Sequence, residues 1–441
     1  MTTHQQDTAT HDDGTRDTGR LPDVLGGFDL TDQSRWAAGI PYELFARLRR
    51  RAPVLRHPPG HMPDGDGFWV LTRHEDIALA AGHDPDPFSA QGGGGRTGGG
   101  SHLEDLQVGV HAGVFLPMMD NPRHELLRGL FTPWTEPTEP VRARIRAFAT
   151  ELVDEAVAEG TGNAADLAER YAARSIALLL GAEPGDLPQV EVWAHSVCGF
   201  VDRRTGVADD NARRVFAEIQ SYARRLLAAR REAPAADAAS VLATAELPAD
   251  GDQPPISDAE RELNFLHLLM TGIEQPRNTL AGGLEGFLSH PGEWARLNAD
   301  RSLLPTAVEE VLRWAPPNPF NRRTATRDVR LRDVLIRAGD KVALWWPAAN
   351  RDEDVFADPD RFDVGRDPNP HLSFGHGTHS CMGDHFARFQ IGALLEALLD
   401  RVAELRPAGP PVWAPNNKHT VVLDLPVEFV PHRPADDRSS R

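Results

Sequence analysis

The sequence predicts a mainly helical α+β fold, built as a single domain over residues 21–432, and three observations carry this prediction. Apolar residues recur with helical periodicity along most of the chain, Pro and Gly mark the gaps, and only a few short stretches alternate as strands do. With 441 residues and a hydrophobic composition of 40%, the chain can bury one large core. Residues 1–20 and 433–441 are polar and are expected to be disordered tails.

The predicted elements follow in order along the chain. A strand at Phe68–Leu71 and a helix at His74–Ala81 precede a glycine-rich loop at Ser89–Met119. Helical patterns then cover Arg123–Phe131, Pro140–Glu159, Ala164–Leu180, Gln189–Phe200, Asn211–Ala233, Asp258–Ser289 and Pro305–Trp314. The stretch Arg323–Trp346 alternates like strands around a turn at Ala338–Gly339–Asp340. A helix beginning at Asp384 and a hairpin near Thr420–Phe429 complete the chain.

Charge and hydropathy exclude several classes of protein. The formal net charge of −18 argues against general affinity for nucleic acid or anionic lipid. No apolar stretch approaches the roughly 20 residues that span a bilayer, and the N-terminus lacks the pattern of a secretory signal. We therefore expect a cytoplasmic monomer that binds neither nucleic acid nor membrane.

Of the two cysteines, one is expected to be inert and one chemically active. Cys198 lies among apolar residues and is interpreted as a small buried side chain. Cys381 lies in a glycine-rich loop immediately before the helix that begins at Asp384. Backbone N–H groups and the positive end of that helix dipole are expected to favour its thiolate.

The segment Phe374-Gly375-His376-Gly377-Thr378-His379-Ser380-Cys381-Met382-Gly383 resembles the cytochrome P450 signature Phe-x-x-Gly-x-x-x-Cys-x-Gly, and the resemblance continues into Ala387-Arg388. It implies the cytochrome P450 fold, a single domain shaped like a triangular prism. It also implies heme b as cofactor, with Cys381 as the axial ligand to the iron. A thiolate ligand pushes electron density onto heme iron and favours cleavage of the O–O bond.

Other landmarks appear in the order that the resemblance requires. Taken alone, Glu310 and Arg313 could be a solvated helical ion pair. In the family, such a pair is buried and joined by an arginine from the coil before the heme loop, and Arg361 matches that position. The resemblance further implies that four side chains contact the heme propionates: His124 and Arg128, one turn apart on a helix, together with Arg323 and His379.

The sequence departs from the family at the oxygen-binding helix, where Glu274 is followed by Gln275 and Pro276. Glu274 keeps the usual acidic position, but Gln275 replaces a threonine whose hydroxyl normally helps to deliver protons. A carboxamide can donate a hydrogen bond but relays protons less readily than a hydroxyl. Pro276 removes the helical partner of the Gly272 carbonyl. We interpret Glu274 and Gln275 as catalytic, with neutral drift at this position as the alternative.

Two reactions remain open for this site. The enzyme could hydroxylate a small natural product, or it could form a C–C or C–N bond without inserting oxygen. By resemblance, the substrate pocket is formed by the glycine-rich loop, the central helix and the segment after Pro317; the candidate residues are Phe115, Met118, Met119, Thr271, Asn318, Phe320 and Asn321. The same residues could equally be ordinary packing.

No flavin or iron–sulfur sequence is fused to the chain, so electrons are expected from a ferredoxin and its NAD(P)H-dependent reductase. Docking would use the face near Cys381, where Arg388 could meet an acidic partner. Two rival hypotheses are a catalytically silent recruitment module in a biosynthetic assembly line and a heme-based sensor. The first would be expected to have lost Cys381, and the second lacks an attached signalling domain.

Overall fold

The computed structural model describes residues 20–82, 85–198, 201–248 and 251–433. The predicted tails therefore lie outside the described residues, apart from Arg20 and Arg433. Helices dominate these ranges: α1 Tyr42–Arg51, α2 His74–Gly82, α3 Arg123–Phe131, α4 Glu139–Glu159, α5 Ala164–Leu180, α6 Leu187–Ser196, α7 Asp210–Glu232, α8 Ala238–Thr244, α9 Asp258–Ser289, α10 Pro291–Ala299, α11 Leu304–Trp314, α12 Trp346–Ala349 and α13 Asp384–Arg401.

The strands are short and form small sheets: β1 Val54–His57, β2 Phe68–Leu71, β3 Phe88–Ser89, β4 Gly98–Gly99, β5 Leu106–Gln107, β6 Thr161–Asn163, β7 Val197–Cys198, β8 Val201–Asp202, β9 Phe320–Ala325, β10 Val329–Leu331, β11 Val334–Ile336, β12 Lys341–Trp345, β13 Val402–Pro407, β14 Val412–Trp413, β15 Val422–Asp424 and β16 Pro426–Pro431. The largest sheet has five strands in the order β1-β2-β12-β9-β3, with β12 parallel to β2. A second sheet has the order β13-β16-β6.

The long helix α9 organises the core. A capping box fixes its start, since the Ser257 backbone N–H donates to Glu260 Oε2 at 2.8 Å and the Glu260 N–H donates to Ser257 Oγ at 3.2 Å. Helix α5 packs closely along α9. This approach requires glycine at position 272, where a Cβ atom would lie 2.2 Å from Cγ1 of Ile176. Because of this close packing, α5 fixes the position of α9 in the middle of the molecule.

Most predicted elements are confirmed. Helices α3, α5 and α9 have the predicted bounds, and the turn at Gly339, with φ of 84°, connects strands as expected. The prediction of a hairpin near Thr420–Phe429 is wrong, because β15 pairs with β14, whereas β16 pairs with β13 and β6. The helix predicted to reach Phe200 ends at Ser196, followed by β7, and residues 199–200 lie outside the described ranges. Within those ranges, no helix has the length and apolar character needed to cross a membrane.

Candidate active site

The main internal feature is a cavity of about 660 Å³ between α9 and the Cys381 segment. Residues of α9 from Leu266 to Thr279 line one side, and residues from Ser373 to Ile391 line the other. Helices α5, α7 and α8 add apolar side chains at its far end; these are Ile176, Leu179, Leu180, Phe216, Val241 and Leu242. The fold therefore joins the predicted oxygen-binding helix and the predicted heme loop in one mostly apolar chamber.

The Cys381 loop is held by backbone contacts that require glycine. The Cys381 N–H donates to the Phe374 carbonyl at 2.7 Å, which closes the loop. Gly375 and Gly377 adopt φ of 73° and 69°, in the left-handed region. A Cβ atom on Gly377 would lie 2.5 Å from Cα of Gly82, so the loop can press against α2 only with glycine there. Glycine at position 377 thus serves the close approach of the loop to α2.

The side chain of Cys381 is exposed, and the space it faces is the cavity. Burial from bulk water raises the pKa of the Cys381 thiol, an effect that exceeds the lowering by the Gly383 N–H and by Arg128. The Gly383 N–H at the helix N-terminus does favour the thiolate, as expected, but burial outweighs this effect in the free side chain. Coordination to a metal deprotonates a thiol outright. The sulfur is thus suited to bind a metal from the cavity side.

The four predicted propionate contacts come together on the same cavity wall. The rings of His124 and His379 are 4.2 Å apart, centroid to centroid. The Arg128 guanidinium donates to the Ser380 carbonyl at 2.5 Å, and that of Arg323 donates to the Arg322 carbonyl at 3.2 Å. Burial, followed by the charge of Arg323, lowers the pKa of His379 to about 3. In the absence of a bound anion, burial thus disfavours the charged imidazole, and the positive charge of this wall comes from the arginines.

This donor set fits the heme that the resemblance implies. A sulfur atom faces the cavity, a glycine loop leaves room beside it, and two guanidiniums line the adjacent wall. Each guanidinium has five N–H donors in a planar fork, so Arg128 and Arg323 are both of the type that binds a carboxylate. No other cluster of cysteine, histidine and carboxylate side chains in the described part of the chain could hold a metal.

The Glu310–Arg313 pair is a buried structural network, as predicted, but its third member is Arg366. Both side chains of the pair are fully buried and joined by two hydrogen bonds of 2.8 Å. Arg366 Nε donates to Glu310 Oε2 at 3.1 Å. The Arg361 side chain is 59% exposed, and Arg361 contributes only its carbonyl, which accepts from Arg313 at 3.0 Å. The assignment of Arg361 as a side-chain partner is therefore wrong.

Replacing Arg366 with alanine should lower the free energy of unfolding by about 1–3 kcal/mol, because Glu310 would lose a charge-assisted hydrogen bond while buried. The matched control is Arg361→Ala, whose exposed side chain should change stability by no more than about 0.5 kcal/mol. Chemical denaturation followed by circular dichroism measures both. Equal effects of the two substitutions would contradict this assignment.

Glu274 and Gln275 both line the cavity, as predicted, but they differ in what they contact. Glu274 is buried and forms an ion pair with Arg203, which also lies 3.5 Å from Glu169. Gln275 Oε1 is buried and has no hydrogen-bond partner among the described residues. Helix α9 runs without interruption through Pro276. Gln275 is thus the polar group of this pair that remains available to a ligand.

The predicted substrate residues reach the cavity with one exception. Those that line it are Phe115, Met118, Thr271, Asn318, Phe320 and Asn321. Met119 does not: it is 1% exposed and packs in the hydrophobic core. It follows the short helical turn Leu116–Met118, which directs Met118 into the cavity and Met119 away from it. Its assignment to the pocket is wrong.

Sequence reasoning missed four histidines and a lysine on the cavity wall. These are His102, His111, His267, His419 and Lys418. No motif marks them, and four of the five lie in irregular loops. The one available signal was the position of His267, four residues before Thr271 and eight before Gln275, which places all three along one side of α9.

Comparisons with known proteins identify the relatives of this chain. A sequence profile of the family described as Cytochrome P450 matches residues 294–423. Cytochrome P450 126 of Mycobacterium tuberculosis is 40% identical over 415 residues, which covers 92% of this chain and 98% of that protein. A methyl-branched lipid omega-hydroxylase of the same species is 34% identical over 395 residues, which covers 86% and 89%.

A solved structure is also similar in fold. It is a Mycobacterium marinum cytochrome P450 in complex with pseudoionone, 30% identical, with a TM-score of 0.80. The match covers 93% of this chain and 99% of that one. The predicted fold class, mainly helical with small sheets in a single domain, is confirmed by this likeness.

Proposed function

This chain belongs to the cytochrome P450 family, and from that premise we propose that it hydroxylates an apolar small molecule. The enzymes of this family are oxidoreductases that carry heme b, which supplies the activation of dioxygen when bound. The observation that carries the proposal is that Cys381 and Gln275 both line one mostly apolar cavity. In hydroxylation, two electrons and two protons reduce dioxygen; one oxygen atom enters a C–H bond and the other leaves as water.

We propose that Cys381 binds the iron and that Arg128, Arg323, His124 and His379 bind the two propionates. The guanidiniums would supply charge, and the imidazoles would supply N–H donors. This assignment rests on their common position on the cavity wall beside the sulfur. A heme anchored at that end of the cavity would leave the space beside α9 and α5 for the substrate.

We further propose that Gln275, rather than Glu274, is the group that orients oxygen and water in the cavity. The Glu274 carboxylate is engaged by Arg203 and by Asn278, whose Nδ2 donates at 3.4 Å. The Gln275 amide can donate and accept hydrogen bonds but does not exchange a proton as an acid or base. Protons would therefore arrive through cavity water that Gln275 holds in place.

Replacing Gln275 with alanine should reduce product formed per electron consumed by up to about tenfold, the cost of one lost hydrogen bond in a positioned water network. Gln275→Thr should keep product yield close to that of the native enzyme, because a hydroxyl also holds water. Product and NAD(P)H consumption, measured in parallel, give the ratio. If alanine and threonine both leave the ratio unchanged, Gln275 is incidental.

The electron donors are proposed to be a ferredoxin and its NAD(P)H-dependent reductase. The face near Cys381 is the expected docking surface, but Arg388 does not provide an unpaired positive charge on it. Arg388 donates to Glu309 at 2.7 Å and to Asp384 at 2.6 Å. Its charge is already matched within the chain, so a partner must be recognised by other cations.

The proposed function is tested by spectroscopy and mass analysis of the holoenzyme. Reduced enzyme with carbon monoxide should show the strongly red-shifted absorption of thiolate ligation. Product that gains one oxygen supports hydroxylation, whereas loss of two hydrogens or a dimer mass would establish oxidative coupling instead. Absence of heme, or a spectrum typical of histidine ligation, would overturn the proposal and favour the recruitment-module alternative.

A further inference from the structure

His267 places an imidazole inside the cavity at a distance from the groups already assigned. It lies on α9 and lines the cavity. Eight residues separate it from Gln275, which corresponds to about 12 Å along a helix. Thr271 lies between them, and its hydroxyl donates to the His267 carbonyl at 2.7 Å. Three polar side chains, those of His267, Thr271 and Gln275, thus follow one another along one side of α9 in a mostly apolar cavity.

The ring nitrogens of His267 have no hydrogen-bond partner among the residues that the structure describes. The ring contact it makes is with Phe115, edge to face at 6.1 Å between centroids. Phe115 is in turn stacked on His111 at 6.2 Å. Packing therefore fixes the orientation of the imidazole while leaving its donor and its acceptor unused. Because His267 lines the cavity, a ligand bound there can supply a hydrogen-bond partner to the ring.

The surroundings of His267 favour an uncharged ligand group. Burial alone lowers the pKa of His267 to about 4, with no contribution from a charged side chain. The imidazole is therefore neutral at physiological pH. A carboxylate placed beside it would lose its hydration without gaining a counter-charge from the imidazole, which is unfavourable. A ketone or hydroxyl oxygen would gain a hydrogen bond at little cost.

We infer that His267 selects the substrate by hydrogen-bonding a single uncharged oxygen, a ketone or an alcohol, at one end of a long apolar molecule. This inference rests on the proposed function. It sets the site of oxidation as well: with the oxygen held at His267, the carbon near Gln275 lies about 12 Å away. Hydroxylation is then directed to the end of the molecule remote from its own oxygen.

The test uses the ferric holoenzyme and two matched probes. Pseudoionone carries one ketone at the end of a branched apolar chain, and the corresponding hydrocarbon lacks only that oxygen. Ligand-induced shifts of the heme spectrum give the dissociation constants. His267→Phe should weaken pseudoionone about three- to tenfold and leave the hydrocarbon unchanged, because a neutral hydrogen bond is lost and packing is kept. His267→Asn should recover at least part of the loss.

Turnover of pseudoionone provides a second readout. Native enzyme should hydroxylate the branched end far from the ketone, and His267→Phe should spread the products over several positions. Equal weakening of both probes, or no weakening of either, would overturn the inference while leaving the proposed function intact. Failure of every ligand to shift the native spectrum, together with the absence of the red-shifted carbon monoxide band, would instead overturn the proposed function.

A further possible outcome is that the substrate is an anion, and the variant Lys418→Met would reveal this. Lys418 lines the cavity and forms a 3.0 Å ion pair with Glu104. If a fatty acid of matched length binds more tightly than pseudoionone, and Lys418→Met weakens the acid while His267→Phe does not, the polar end is recognised at Lys418. That result would overturn the role of His267.

Discussion

Replacing Cys381 with serine is expected to abolish the red-shifted carbon monoxide band and to lower turnover by more than about a hundredfold. Partners that merely orient a metal ligand already cost 10–100-fold when mutated, so loss of the ligand itself should cost more. A serine hydroxyl matches the sulfur in shape but is a poor donor to iron. Difference spectra of the reduced protein and product formation under saturating electron donor provide the measurements.

The other cysteine is the control for this prediction. Cys198 is fully buried in β7, and burial raises the pKa of its thiol well above the usual range. Cys198→Ala should therefore retain the red-shifted band. Circular dichroism of Cys381→Ser should show native helix content, which separates a lost ligand from a lost fold. A red-shifted band that persists in Cys381→Ser would refute thiolate ligation by this residue.

Local sequence signals predicted the parts of the site that are themselves local. The loop around Cys381 was predictable because its glycines and its cysteine act within ten residues of one another. His124 and Arg128 were predictable because a spacing of four places two side chains on one face of a helix. The bounds of α9 followed from its long apolar periodicity.

The same local signals could not predict contacts between residues that are distant in sequence. Arg361 and Arg366 lie in one coil, and only the path of that coil decides which side chain turns inward to Glu310. The C-terminal strands failed for a related reason: β15 and β16 are adjacent in sequence but pair with different strands. Strand pairing depends on contacts that periodicity does not encode.

The ion pair of Glu274 shows why the site could be predicted only in part. The sequence marked Glu274 as the acidic residue of the oxygen-binding helix, and it does line the cavity. Its partner Arg203 lies 71 residues away, just after β8, in a segment without a motif. The partner changes the interpretation, because an ion-paired carboxylate is already satisfied. Gln275, which first looked like a weakened substitute, becomes the more available group.

Arg203→Met is expected to lower the free energy of unfolding by about 3–5 kcal/mol, the cost of removing one partner from a buried charge network. The Arg203 side chain is 4% exposed and contacts two buried carboxylates, those of Glu274 and Glu169. It also donates to the Val197 carbonyl at 2.9 Å. Without it, Glu169 would keep His195 at 3.0 Å and Arg277 at 3.7 Å, whereas Glu274 would keep the Asn278 amide at 3.4 Å.

Arg277 is the reason why the expected loss in the free energy of unfolding could be as small as about 3 kcal/mol. Burial, and then repulsion by Arg203, lower the pKa of Arg277 to about 10. Removing Arg203 relieves this repulsion, so part of the lost attraction is recovered. The double variant Arg203→Met with Glu274→Gln should be more stable than Arg203→Met alone, because it removes one of the two carboxylates left without a full partner.

The neighbouring residue supplies the matched control. Arg204 is 59% exposed and lies 3.7 Å from Asp424, so Arg204→Met should change stability by no more than about 0.5 kcal/mol. Urea denaturation followed by circular dichroism compares the variants, with heme absorbance as a second probe. If Arg203→Met is no less stable than Arg204→Met, the buried pair does not hold Glu274. Glu274 would then be free to exchange protons with the cavity. The role proposed for Gln275, which is to orient oxygen and water, would have to be assigned to Glu274 instead.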